Sequence, residues 1–351
     1  MSPTVAATRR QARVPSGGDG PPSLLPRHRE VGLTDQQAVD LYRAMVVARR
    51  ISEACLRLAF QGTLDVAIPA DGHEAAQVAS IRALRPTDFA YLFYRSIPAA
   101  YARGMTAREI MLDSFGRAAG PSSGGKNLPG HWAHRGLNLM SISGSVGTQI
   151  PNAVGTALAS KVRGEDAVTI VYFGDGGASK SDFHEGLNFA AVHHVPVVLF
   201  CENNGIAISV PFEKQSPVGS IAERAAAYGV LGTTVDGGDP LAVYATTCAA
   251  VERARRGQGP TLIEAKVSRI GQHTSQVGDL RTRAEIREAT AHDPLPAYAA
   301  YLRGQGLLDK ARQAALEARA TSEIAQAIEE ARDAPLPEPS AATRDVYGPT
   351  T

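Results

Sequence analysis

The sequence predicts an α/β fold, a mostly parallel sheet flanked by helices. The runs Val168–Phe173 and Val195–Cys201 are rich in Val, Phe and Leu and have the length of buried strands. Between them Phe183, Leu187, Ala190 and Ala191 recur at helical spacing and mark one apolar face. Strand, helix and strand in so short an interval form a βαβ unit, whose crossover favours parallel pairing. Gly174-Asp175-Gly176 ends the first run and Asn203-Asn204 ends the second. Both therefore fall at the carboxyl edge of the sheet, where open α/β sheets bind ligands.

Residues 1–32 hold Pro, Gly, Ser and Arg with few apolar residues and read as a disordered, solvated tail. Arg9, Arg10 and Arg13 precede any acid, as in a transit peptide, but Pro and Gly interrupt the amphipathic period such a peptide needs. Thr34 with Gln37 reads as a capping box that opens a helix to about Phe60, with Ala38, Leu41, Met45, Val46 and Ala48 as its core stripe. Gly72-His-Glu-Ala75 starts a second helix; His73 and Glu74 read as capping and packing residues rather than a catalytic pair. Pro121–Gly130 has the Gly, Ser and Lys of a mobile loop and leads to His131. Ile142–Gly147 precedes a helix carrying Ile150, Val154 and Leu158. Val230–Asp236 and Thr261–Val267 read as two further strands, separated by a helix from about Leu241 to Arg256. The last helices run to about Ala331, before the Pro-rich stretch Pro335–Pro339 and Asp345-Val-Tyr347. The expected organisation is a tail over 1–32, one α/β domain over 33–332 and a Pro-rich tail over 333–351.

A chain of 351 residues suffices for one large α/β domain or two small ones. It has no run of eighteen apolar residues, so no membrane span is expected. The net charge of +1 gives no case for nucleic acid or a membrane surface as partner. Its three cysteines, Cys55, Cys201 and Cys248, are scattered and lack any Cys-x-x-Cys spacing, which reads as buried thiols in a reducing compartment.

Glycines at a strand–helix turn let backbone approach a phosphate, and the next helix N-terminus favours an anion. Asp175 at the same turn would repel that phosphate unless a cation sat between them. Mg2+ takes oxygen ligands and draws only a few from protein where phosphates supply others. Asp175 offers a carboxylate and Asn204 an amide oxygen, with the carbonyl of Ile206 as a third ligand. A dinucleotide fingerprint fits worse, because its third glycine position falls at Ser179 and leaves Asp175 without a role. His131 and His134 share a loop but have no third partner, which makes a poor zinc site.

Gly-Asp-Gly followed by Asn-Asn is the pattern of thiamine diphosphate enzymes. The wider sequence resembles the α subunit of the decarboxylating component of 2-oxo acid dehydrogenase complexes, nearest the branched-chain type. The residues that carry this resemblance are Gly72-His-Glu-Ala-Ala76, Thr148-Gln-Ile-Pro151, Gly186-Leu-Asn-Phe-Ala-Ala191, Glu202-Asn-Asn-Gly-Ile-Ala-Ile-Ser209, Val235-Asp-Gly-Gly-Asp239 and Arg269-Ile-Gly-Gln-His273. It runs from about Leu33 to about Tyr347.

The resemblance implies thiamine diphosphate and Mg2+ as cofactors. It implies that Phe93, Tyr94 and Arg95 touch the cofactor, with Arg95 on the diphosphate. Ser145 and Val146 would meet its ring system, Val146 beneath the bent molecule. Gly174, Asp175, Gly176, Gly177, Asn204 and Ile206 would hold diphosphate and metal, Asp175 on a surface-directed turn. His131 and His273 would be catalytic, His273 also facing the cofactor. The glutamate that activates the cofactor would come from a separate β subunit, in an assembly of two α and two β chains. A lipoyl-bearing acyltransferase would take the acyl group from a small 2-oxo acid, branched-chain rather than pyruvate or acetoin, in a bacterial cytoplasm rather than a mitochondrial matrix. The chain departs from the family at Ser96-Ile97-Pro98, where Gly is usual, at Lys180-Ser181, where Glu-Gly is frequent, and at Thr274–Arg283, which lacks the paired aspartates of the regulatory loop. Lys180 receives no role.

Overall fold

The computed structural model describes residues 25–344. The arginine-rich part of the N-terminal tail and Asp345–Tyr347 lie outside the described residues. Among the described residues there are eight strands: β1 Phe89–Tyr91, β2 Leu139–Met140, β3 Thr169–Gly174, β4 Val197–Asn203, β5 Ile206–Ala207, β6 Val210–Pro211, β7 Leu231–Asp236 and β8 Thr261–Lys266. Six of them form one sheet in the order β2-β1-β3-β4-β8-β7. Every neighbouring pair in it is parallel. β5 and β6 make a separate antiparallel hairpin.

The central strands are apolar on both faces because both faces are covered. Ile170 and Tyr172 of β3, Val198 and Phe200 of β4, and Ile263 and Ala265 of β8 point into one core. Val171 and Phe173, Val197, Leu199 and Cys201, and Leu262 point into the other. This is the period of two that a strand imposes. The first core is filled by α2 Asp35–Phe60, α3 Glu74–Arg82, α4 Ile97–Arg103, α5 Ala107–Ser114, α8 Pro240–Arg255, α10 Pro294–Gly304 and α11 Lys310–Asp333. The second is filled by α6 Gln149–Val162 and α7 Ser181–Val192. Of the remaining helices, α1 is Arg27–Glu30 and α9 is Arg283–Ala291. Among the described residues no helix is long and apolar enough to cross a membrane.

The capping box of α2 is formed, with Thr34 Oγ1 accepting from the Gln37 N–H at 3.2 Å and Gln37 Oε1 accepting from the Thr34 N–H at 2.8 Å. The structure differs from the sequence reading in two places. Residues 25–32 pack on the domain rather than trailing from it. His28 is buried, its Nδ1 2.8 Å from the Tyr301 hydroxyl and its Nε2 2.7 Å from Asp35, and Arg27 pairs with Asp239. A single buried histidine in a polar, Pro-rich context carries no periodic signal. Secondly, α7 does not follow Gly176 at once; a 3-10 turn, Asp175–Ser179, intervenes and Lys180 occupies the cap position.

The loop after β8 is fixed from both sides. Ile270 N–H donates to Asp71 O at 3.0 Å. Arg281 donates to the carbonyls of Arg269, Ile270 and Gly271 and is held by Asp279. Gly72 makes this approach possible: its φ is +93°, and a Cβ there would lie 1.8 Å from Ser268 O. Gly62 has φ +72° but faces open space. Gly62→Ala is expected to cost roughly 1–2 kcal/mol for its left-handed backbone alone. Gly72→Ala should add roughly 1–3 kcal/mol as backbone is displaced. Comparing the two melting temperatures checks this; equal shifts would refute the close approach at Gly72.

Candidate active site

The residues named by sequence come from distant parts of the chain and meet in one cavity of about 340 Å³ at the carboxyl ends of β3 and β4. That is within the range of small-ligand pockets. Phe93, Tyr94 and Arg95 enter it from the loop after β1. His131 and Val146 enter from the long connection between α5 and α6. Gly174, Asp175, Gly176 and Gly177 form the turn after β3, Asn204 and Ile206 follow β4, and His273 follows β8. Ser145 is not brought in. It is exposed and its backbone is engaged locally, its N–H on Ser143 Oγ and its carbonyl on Thr148 Oγ1.

Asp175 is not surface-directed. It is 3% exposed, because the 3-10 turn folds it inward beneath the hairpin β5–β6. Burial raises its pKa, and the Gln215 amide that donates to its Oδ2 at 2.8 Å opposes this. The turn packs tightly, since a Cβ at Gly176 would lie 2.9 Å from that of Ala207. Asn204 Oδ1 accepts from the Ile206 N–H at 3.2 Å, which fixes the side chain against the hairpin. At the hairpin tip Ile208 has φ +57°, a backbone that β-branched residues rarely adopt, and it lines the cavity.

Two buried arginines line the same cavity. Arg95 is 2% exposed and donates to the carbonyls of Pro69 and His273. Arg269, given no role from sequence, is 3% exposed and lines the same cavity. Its Nε and Nη1 are buried without a hydrogen-bond partner. Burial, with Arg95 and Arg281 nearby, brings its pKa down to about 10. Unsatisfied buried donors are costly, and two on a guanidinium call for an anion. The only sequence signal for Arg269 was its place in the Arg269–His273 motif. Lys180 also lines the cavity, from an exposed position, with its Cβ and Cγ against Gly147.

The two histidines are held in opposite tautomers. His131 Nδ1 lies 2.8 Å from Leu128 O, so it carries the proton and leaves Nε2 as acceptor. Gly144 leaves room for this ring, since a Cβ there would lie 3.3 Å from Nε2. His273 Nδ1 lies 3.2 Å from Arg95 Nη2, which only donates, so the His273 proton sits on Nε2. Burial first, then the charges of Arg95 and Arg269, hold the His273 pKa down to about 4. By contrast His73 and Glu74, weighed as a catalytic pair, are buried outside the cavity, His73 on Glu202 and Glu74 on Arg49.

These residues fit thiamine diphosphate with a divalent cation. Arg269 has unpaired donors for phosphate oxygens, and Asp175 presents one carboxylate, whose Oδ2 accepts from Gln215. Among the described residues no cluster of three or more His, Cys, Asp or Glu could hold a metal alone, so a cation here would need oxygens from an amide, a carbonyl and the ligand itself.

Comparison with known proteins agrees with the geometry. The family model for the dehydrogenase E1 component matches residues 42–340. A 2-oxoisovalerate dehydrogenase subunit alpha from Bacillus subtilis (strain 168) is 45% identical over 325 residues, which span 92% of this chain and 98% of the relative. A pyruvate dehydrogenase E1 component subunit alpha from the same organism is 40% identical over 302 residues, 85% of this chain and 79% of the relative. Its counterpart from Bacillus cereus is 39% identical over 306 residues, 86% and 80% of the two chains. The chain therefore belongs to the dehydrogenase E1 component family, as a chain of the alpha-subunit kind.

Proposed function

We propose that this chain is the α subunit of a bacterial, cytoplasmic 2-oxo acid dehydrogenase that decarboxylates branched-chain 2-oxo acids with thiamine diphosphate and Mg2+. The observation that carries the reading is the cavity in which buried, unpaired Arg269 donors face an inward-turned Asp175. Arg95 and Arg269 bind the diphosphate. Asp175, Asn204 Oδ1 and the Ile206 carbonyl hold the cation, and the glycines of the turn admit phosphate close to backbone. Val146, 40% exposed and at the cavity wall, supports the cofactor's ring system, with Phe93 and Tyr94 closing the far side. Ser145 stays at the rim. When bound, thiamine diphosphate supplies the electron sink for loss of carbon dioxide.

The chain's histidines handle charge around that chemistry. Neutral His273 donates from Nε2 to developing negative charge, and it stays neutral because a proton on Nδ1 would face Arg95. His131 accepts from Nε2, which suits it to take a proton from a thiol or hydroxyl. A β subunit supplies the remaining wall and the activating glutamate, two α with two β chains, and a lipoyl-bearing acyltransferase receives the acyl group. The branched-chain assignment rests on the 45% identity with the 2-oxoisovalerate enzyme, against 40% with the pyruvate enzyme of the same organism.

The reading is tested by co-expressing the chain with its β partner. The complex should turn over 3-methyl-2-oxobutanoate with higher catalytic efficiency than pyruvate, and the chain alone should not decarboxylate either; a preference for pyruvate would reject the substrate assignment. A single methylene difference in an apolar pocket is worth roughly 10–200-fold.

Asp175→Ala should abolish Mg2+-dependent binding of thiamine diphosphate. Calorimetric titration of the complex with and without Mg2+ reads this, with circular dichroism to confirm the fold. Unchanged Mg2+-dependent affinity would exclude Asp175 as the metal ligand. A third expectation concerns pH. Positive neighbours disfavour imidazolium, so removing one raises the pKa. In Arg269→Met the His273 midpoint should rise from about 4 toward its ordinary value near 6.5, read by NMR of histidine-labelled protein. A midpoint that did not move would mean that burial and Arg95 set it without Arg269.

A further inference from the structure

Gln215 stands behind the metal-side wall and is assigned nothing above. It follows the hairpin β5–β6, in a turn closed by its own N–H on Phe212 O at 2.9 Å. Its Nε2 lies 2.8 Å from Asp175 Oδ2 and 2.8 Å from Val210 O. Both neighbours are acceptors, so the amide has one permitted orientation: turned over, its oxygen would face a carboxylate and a carbonyl. An amide nitrogen carries two protons, and these two contacts use both. Its Oε1 is buried without a partner.

This one side chain joins two pieces of backbone. Val210 sits in β6, opposite Ala207 in β5, and Ile206 of β5 pairs with Pro211. Asp175 belongs to the turn after β3. Gln215 therefore fixes the separation between the carboxylate and the hairpin that carries the Ile206 carbonyl. It also engages Oδ2 of Asp175, so that one oxygen is oriented by the protein. Partners of this kind, one bond removed from a metal, typically change affinity 10–100-fold when removed.

We infer that Gln215 is a positioning residue for the cation site: it sets the Asp175 carboxylate and the β5–β6 hairpin in the arrangement that takes a divalent metal with the cofactor diphosphate. This rests on the cofactor reading above. Its effect runs through Asp175, so it should alter metal affinity rather than the fold or the histidines.

The test uses the α–β complex with thiamine diphosphate and Mn2+ as probe, free Mn2+ being counted by electron paramagnetic resonance. Gln215→Met keeps the volume and loses both donors. It should weaken Mn2+ binding about 10-fold or more while the melting temperature of the complex without ligands stays within about 2 °C of wild type. In the Asp175→Asn background, which keeps an oxygen toward the cation but removes the carboxylate that Gln215 donates to, the same change should cost less Mn2+ affinity than in the wild type. If Gln215→Met does not assemble, Gln215→Asn decides, since it keeps the donors but withdraws them by one methylene; weaker Mn2+ binding is again expected. Wild-type Mn2+ affinity in an assembled variant, or an equal loss with and without Asp175, overturns the inference. Absence of Mn2+ binding in the wild-type complex would instead overturn the cofactor reading.

Discussion

Burial of both faces of the parallel sheet is the constraint from which the rest follows. A strand covered on both sides favours apolar side chains along its length, so β3 and β4 are apolar until their carboxyl ends, and the buried Glu264 within β8 is tolerated because Asn203, Ser220 and Lys266 donate to it. Polar residues therefore gather toward the carboxyl ends of these two strands. Asp175 and Asn204 are the first residues past those ends, and in β4 the polarity already starts at Glu202 and Asn203. The crossovers α6 and α7 cover one face and the larger helical layer covers the other, so loops from both layers converge at a single edge. The cavity is what remains between them.

Charge is distributed unevenly around that cavity. Arg95 and Arg269 are buried on one wall, and each lowers the His273 pKa. Asp175 lines the same cavity, and burial raises its pKa. The cavity thus brings together buried cations and a buried carboxylate, which is the complement of a diphosphate bound to a cation. Arg95 is satisfied in part by carbonyls of the chain. Arg269 is not, and this asymmetry marks it as a ligand-facing group.

The sequence made the centre of the fold legible because that centre is long and periodic. The unit β3–α7–β4, the capping box at Thr34 and the strands near Val230 and Thr261 all follow rules of spacing that tertiary contacts did not override. β1 and β2 were missed because three and two residues carry no period. Their pairing is fixed by the strands beside them. In the site, the turn glycines, Asp175 and Asn204 could be argued from chemistry alone, whereas the histidines, Arg95 and Val146 came only through resemblance. Arg269 escaped because nothing local distinguishes a buried, unpaired arginine from a surface one. The inward position of Asp175 escaped because a 3-10 turn and a helix start look alike in sequence, and Ser145 was carried in by its neighbour Val146 although its side chain stays outside.

The lining of the cavity runs from Phe93 to His273, drawn from the ends of four strands and from the long loop that carries His131. No single segment contains the whole site. A ligand that recognises this cavity therefore recognises the assembled sheet, and its binding free energy is shared by every element that must be in place. At a free concentration 100-fold above its dissociation constant, such a ligand raises the unfolding free energy by about 2.7 kcal/mol. Occupancy of the cavity and conformational stability of this chain are coupled through that linkage, so a ligand that fills the cavity also protects the fold.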